Sequence, residues 1–187
     1  MAYTTIDDPS AHFQTLLYTG NATGRSLTNT GNSDLQPDLV WVKDRSTTND
    51  HKITDSSRLG GGSGPTRTLE SNTNAAEYDD QGEGSDATTS FDTDGFTIGT
   101  NGNYNTNTNS YVAWQWKANG GTRTTNTESG NNPAGGYQAN TTAGFSIVDY
   151  TGTGAAGTMA HGLGAVPHCI IFKARAGTEN WPIYHIA

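Results

Sequence analysis

Two stretches of this chain repeat one another, and the repeat constrains the fold more than any other feature. Phe13-Gln14-Thr15-Leu16-Leu17-Tyr18-Thr19-Gly20 is matched by Phe145-Ser146-Ile147-Val148-Asp149-Tyr150-Thr151-Gly152 at the Phe, Tyr, Thr and Gly positions. Pro37 and Pro167 follow, at Phe-to-Pro spacings of 24 and 22. Each proline leads through an apolar run to a lysine (Lys43, Lys173) and then an arginine (Arg45, Arg175). The shared Tyr-Thr-Gly and Pro-(x)5-Lys-x-Arg anchors mark a duplicated unit of two apolar strands joined by a loop. Leu16 then corresponds to Val148, Trp41 to Ile171 and Lys43 to Lys173. The second copy reaches Ala187, the counterpart of about Ser57, and holds nothing like residues 91–117. Its apolar residues, among them Ile147, Ile170 and Phe172, are expected to need cover from further chain or from a neighbouring subunit.

The remaining pattern is written in short strands. Residues 13–18, 38–43 and 51–55 read as strands, the second apolar on both faces and so expected between layers. Asp94-Gly95 marks a turn before the alternating strand Phe96–Ile98. In Tyr111-Val112-Ala113-Trp114-Gln115-Trp116-Lys117, period-two geometry puts Val112, Trp114 and Trp116 on one face, expected to be core. Tyr111, Ala113, Gln115 and Lys117 lie opposite. Glycine-rich residues 60–64 and low-complexity residues 101–109 read as loops, and acidic residues 73–87 as a loop with one helical turn near 74–78. Threonine, asparagine and glycine make up 71 of the 187 residues. Stiff Thr, backbone-competing Asn and entropically costly Gly all disfavour long helices. The expected class is all-β: a β-sandwich over residues 1–118, a Thr/Asn/Gly-rich linker over 119–142, and a partial second β unit over 143–187.

Charge excludes several functions. Eighteen acidic residues against ten basic ones leave a net charge of −8, which repels a phosphate backbone, so no nucleic-acid partner is expected. No segment approaches the ~20 apolar residues that span a bilayer, and none reads as a signal peptide. The single cysteine, Cys169, precludes an internal disulfide, and its neighbours Ile170, Ile171 and Phe172 point to a buried, inert thiol.

Motifs that carry chemistry are sparse. Asp92-Thr93-Asp94-Gly95 resembles the start of a calcium loop, but the twelfth position is Asn103 where a glutamate is required, so a capped β-turn is expected. Glu77, Asp79, Asp80, Glu83 and Asp86 read as a solvated acidic run. His12, His51, His161, His168 and His185 form no metal-ligand pair. His51, Asp55 and Ser56 or Ser57 have the residue types of a triad without a nucleophile elbow. No catalytic residue, metal or cofactor is expected. Trp41, Trp114 and Trp181 are the candidates for glycan contact, because an exposed indole stacks on a sugar ring, whereas a buried one is core.

Residues 37–45, 90–96 and 111–117 resemble a domain family of bacteriophage virion proteins, frequent in marine phages and usually described as tail-fibre or other structural proteins. Gly144–Val148 through Pro167 resembles the start of that family's second unit. Gln115 departs from the pattern, in which the residue between the tryptophans is often cysteine. The resemblance implies a β-sandwich of lectin-like or jelly-roll shape in a non-enzymatic virion component, made in the host cytoplasm, that serves assembly or host attachment. Its expected partners are further copies of itself, other virion proteins and a host surface glycan. The alternative is a carbohydrate-binding module attached to a glycan-degrading enzyme, favoured if Trp41, Trp114 or Trp181 is exposed.

Overall fold

The computed structural model describes residues 6–58, 65–82 and 85–186, with residues 81, 82, 85 and 86 described by backbone alone. The glycine-rich loop expected at 60–64 lies outside these residues, as does Glu83 of the acidic run. In chain order the strands are β1 (Phe13–Thr19), β2 (Arg25–Thr28), β3 (Leu39–Asp44), β4 (Lys52–Asp55), β5 (Arg67–Thr68), β6 (Tyr78–Asp79), β7 (Gln81–Gly82), β8 (Ser85–Asp86), β9 (Thr88–Asp92) and β10 (Gly95–Ile98). The helix α1 (Gly102–Asn105) precedes β11 (Ser110–Trp116), β12 (Thr124–Asn126), β13 (Gly135–Asn140), β14 (Phe145–Tyr150), β15 (Cys169–Ile171) and β16 (Ile183–His185). The chain is all-β, as the composition requires.

A four-stranded sheet in the order β1-β11-β3-β4 and a three-stranded sheet in the order β2-β10-β9 are the main layers. Every pairing in them is antiparallel. Between them lies the core: Leu16, Val40, Val42, Tyr111 and Ala113 from the first sheet, Leu27, Phe96 and Ile98 from the second, with Ala87 and Tyr104 closing it. Gly95, at φ +111, starts β10 where a Cβ would stand 2.0 Å from the Leu27 carbonyl oxygen, so only glycine allows this close approach.

Register decides which face of the four-stranded sheet is inside. Leu16, Ala113, Val42 and Lys52 form one cross-strand row, and Gln14, Gln115, Val40 and Thr54 the next. These rows face the core, with Ala113, Gln115 and Val40 fully buried. The expected faces of β11 are therefore exchanged. Tyr111, Ala113 and Gln115 point inward, while Trp114 and Trp116 are half-buried on the outside. Gln115 is accommodated in the interior because its amide donates to Asn29 Oδ1 at 2.5 Å. Trp41 is likewise half-buried on the outer face, so β3 is covered on one side only.

Two segments expected to be structureless are built into the fold. Residues 101–109 contain α1, capped by Asn101, and bury Tyr104 and Asn105 completely. The Asn105 side chain accepts from the Asn21 amide and donates to the carbonyls of Thr23 and Gly99, which closes the turn without apolar residues. Residues 119–142, expected as a linker, contribute β12 and β13, which join β14 in an antiparallel sheet. Backbone ladder bonds organise this polar stretch, and Gly135 admits β14 where a Cβ would lie 2.1 Å from the Asp149 carbonyl oxygen.

The hairpin β15–β16 stands apart from the main sheets and is exposed on both faces. Cys169, expected to be buried, is exposed there, because a two-stranded hairpin without a second layer has no interior. The hairpin loop is latched to the 70–77 segment. Arg175 makes a two-pronged ion pair with Glu77 at 2.7 and 2.8 Å, and the Trp181 indole donates to the carbonyls of Glu70 and Thr73.

Candidate binding face

The outer face of the four-stranded sheet concentrates the aromatic side chains. Phe13 lies opposite Trp116, Thr15 opposite Trp114, and Trp114 opposite Trp41, so consecutive strands carry their rings side by side. Trp41 and Trp114 meet edge to face with centroids 5.8 Å apart, and Phe13 tilts against Trp116 at 4.9 Å. Phe145, from the second copy of the repeat, stacks on Trp116 at 6.1 Å. Leu17, 63% exposed, and Phe13, 38% exposed, border the row. Such a face combines apolar area with polar ring edges, the combination enriched at contact surfaces.

Each ring is held in place. The Trp41 indole donates to His51 Nδ1 at 2.9 Å, and the two rings meet edge-on at 5.7 Å. Burial, and then the nearby Lys43 ammonium, hold the His51 pKa below its ordinary value. His51 is thereby kept neutral and able to accept the indole hydrogen. Its own amide donates to Asn72 Oδ1, and Asn72 in turn donates to Asp50, placing hydrogen-bonding groups beside Trp41. At the Trp116 end, Ile6, Pro9, His12, Phe13, Trp116, Ala143, Gly144 and Phe145 enclose a cleft of about 380 Å³. That volume is at the small end of ligand pockets.

Of the three tryptophans nominated for glycan contact, the fold brings Trp41 and Trp114 together and places Trp181 elsewhere. The Trp181 indole is committed to backbone carbonyls of the 70–73 turn, as a structural peg. Trp116 completes the row; the period-two pattern already puts it on one face with Trp114, a face expected to be core and found half-open instead. Phe13 and Phe145 join them, and their one visible signal was the Phe shared by the two repeats.

The other motifs are engaged in structure. Asp92 accepts hydroxyl hydrogen bonds from Ser90 and Thr97, and Asp94 accepts the Leu35 amide, so the Asp-Thr-Asp-Gly segment is a capped hairpin turn. Asp55 binds Arg58 and the amides of residues 57 and 58, while Ser56 donates to Asp38, so neither joins His51 in a triad. Among the described residues, no three His, Cys, Asp or Glu side chains converge as metal ligands. Much of the acidic run is not solvated. Glu77 pairs with Arg58 and Arg175, and burial raises the pKa of Asp80. Lys52, almost fully buried, binds Glu70 Oε1 at 2.5 Å and the Tyr78 hydroxyl at 2.6 Å, a polar staple under the sheet.

Residues 8–187 match the family described as a domain of unknown function, DUF7483. No curated protein and no solved structure matches the chain. The chain belongs to the DUF7483 family.

Proposed function

We propose that this member of the DUF7483 family is a non-catalytic structural and attachment module of a phage virion, in a tail fibre or surface appendage. The outer aromatic face of its four-stranded sheet is the contact surface. One observation carries the reading. Trp41, Trp114, Trp116 and Phe13 share an outer face where they remain partly open to solvent, although a fully buried alternative face exists on the same strands. Leaving large rings half-open forgoes part of the roughly 1.5–3 kcal/mol that full burial of a large apolar side chain supplies, which favours a surface that is covered on contact. Placement in a virion rests on the resemblance of residues 37–45, 90–96 and 111–117 to phage structural proteins. The threonine- and asparagine-rich loops suit such an exterior, since they satisfy their backbone groups locally and expose little charge.

A second reading, a carbohydrate-binding module, draws on the Trp41 end of the row. There the Trp41 indole is bonded to His51, whose amide donates to Asn72, which in turn donates to Asp50, so that ring and hydrogen-bonding groups of the kind that recognise a sugar are linked in one network. One experiment separates the readings. The whole chain is passed over immobilised bacterial surface polysaccharides and over intact cells, with released sugar fragments measured in parallel. The attachment reading expects retention on cells, weakened in Trp41→Ala and Trp114→Ala, without fragment release. Retention on a purified polysaccharide without retention on intact cells moves the assignment to the carbohydrate-binding module. Fragment release refutes both.

A further inference from the structure

We propose that the second copy of the repeat is a sheet missing its central strand, and that it is completed by an extended polypeptide segment with the alternating pattern of β11, inserted antiparallel to β14 and β15. The inference rests on the repeat and its registers; it does not depend on the aromatic-face reading.

The hairpins of the two copies are the same object. In β3–β4, Leu39 faces Asp55, Val40 faces Thr54 and Trp41 faces Ile53. In β15–β16, Cys169 faces His185, Ile170 faces Tyr184 and Ile171 faces Ile183. Every position in the second set is 130 higher than its counterpart. Even the flanking bond is repeated: the Ser56 amide donates to the Asp38 carbonyl at 2.9 Å, and the Ile186 amide to the His168 carbonyl at 2.8 Å. Alternate residues of an antiparallel strand direct their backbone groups to opposite neighbours. In β3 the odd-numbered residues face β11, as the bond from the Arg45 amide to the Ser110 carbonyl shows. Their counterparts in β15, Cys169 and Ile171, face no strand among the described residues, where β15 pairs with β16 alone.

The first strand of the copy leaves the matching vacancy. Bonds between Gly20 and Asn109 and between Lys117 and His12 show that the even-numbered residues of β1 face β11. In β14 it is the odd-numbered residues that face a partner, as the bond from the Thr151 amide to the Ala134 carbonyl shows. Phe13 aligns with Phe145, so β13 occupies the edge of β14 opposite to the one β11 occupies on β1. The counterpart of the β11 edge, formed by Ser146, Val148 and Tyr150, pairs with no strand among the described residues. Both strands of the copy therefore leave open the edge that β11 fills in the first unit.

The side chains agree. Ile171 is 58% exposed and Ile183 65%, although their counterparts Trp41 and Ile53 are half-buried or buried. The first unit also specifies the occupant. It is a strand of about seven residues presenting small or hydrogen-bonding side chains on one face and apolar rings on the other, as Ser110–Trp116 does. Strand addition to an open edge takes affinity from main-chain bonds and specificity from alternate side chains.

The test adds a synthetic peptide of residues 109–118 to the whole chain, with a scrambled peptide as control, and reads residue-resolved amide exchange. The proposal expects fast exchange to be lost together at Ser146, Val148, Cys169 and Ile171, while Leu39 and Trp41, already paired with β11, do not change. Protection confined to β14 or to β15, protection by the scrambled peptide, or no protection overturns it. Ile171→Pro removes one edge amide and leaves the β15–β16 ladder intact, so it should abolish the effect while the Ile170 and Tyr184 amides stay protected. Val148→Pro should do the same from the other strand. Undiminished peptide protection in both variants also overturns the proposal.

Discussion

Replacing Arg58 with methionine probes the densest charge cluster in the fold. The guanidinium, 6% exposed, donates to Asp55 Oδ2 at 2.5 Å, to Glu77 Oε2 at 2.8 Å and to the Ile53 carbonyl at 3.3 Å. Methionine keeps the apolar stem and removes every donor. Glu77 then retains its pair with Arg175, and Asp55 Oδ1 retains two backbone amides, but Asp55 Oδ2 loses its partner. Removing one member of a buried pair costs roughly 3–5 kcal/mol, and the bonds that survive place this case near ~3 kcal/mol. For a chain of this length each kcal/mol moves Tm by roughly 2–4 °C, so a fall of about 6–12 °C is expected. Urea unfolding followed by circular dichroism measures the free energy directly. The acid limb gives a second readout. Burial alone would raise the Glu77 pKa, but hydrogen bonds from Arg175 and Arg58 outweigh it and hold the carboxyl below its ordinary value. Its contribution is therefore complete above the unfolded carboxylate value of about 4.3 and is lost as pH falls through the lower folded value. With one donor gone, Arg58→Met should begin to lose that contribution at higher pH. A loss under ~1 kcal/mol with an unmoved acid limb would refute the reasoning, since water would then be replacing the arginine.

Three further outcomes follow from the same geometry. Phe96→Ala, at a fully buried position, should cost roughly 3–5 kcal/mol, while Trp114→Ala on the outer face should cost only ~1–3 kcal/mol; thermal unfolding of the two variants side by side tests the face assignment, and the reverse order would contradict it. Gly95→Ala forces a Cβ into the Leu27 carbonyl at a positive φ and should cost roughly 1–3 kcal/mol by denaturant titration, whereas a neutral result would mean that β10 approaches β2 less closely than described. Calorimetric titration with calcium should show no binding at Asp92 and Asp94, whose oxygens already accept protein hydrogen bonds, and micromolar affinity lost in Asp94→Ala would overturn this.

The sequence made the apolar strands legible and left the polar ones hidden. β1, β3, β10 and β11 announce themselves because alternating or continuous apolar residues have one extended solution. β2, Arg-Ser-Leu-Thr, has a single apolar residue and becomes a strand only because β10 pairs with it, and β12 and β13 depend on the ladder in the same way. Which face of β11 turns inward was not legible. Period two yields two sets of residues, and the choice between them depends on the gap to the opposite sheet, which favours Ala113 over Trp114. For the same reason the aromatic face could be read only in part: Trp41 and Trp114 by residue type, Trp116 by its place two residues beyond Trp114, but Phe13 only once the β1–β11 register is known. The repeated Pro-to-Arg block was legible in the anchors that β3 and β15 share, and the hairpins β3–β4 and β15–β16 keep one register.

Amide hydrogen exchange on the whole chain, without any added peptide, tests most directly the claim that a finished sheet is followed by a copy of it with an unfilled centre. The account predicts slow exchange at Leu39 and Trp41 and at Gln14, Leu16 and Tyr18, whose amides face β11. It predicts fast exchange at their counterparts Cys169 and Ile171 and at Ser146, Val148 and Tyr150. Equal protection of the two sets in a monomeric chain would mean that the copy is already complete, and would contradict the account.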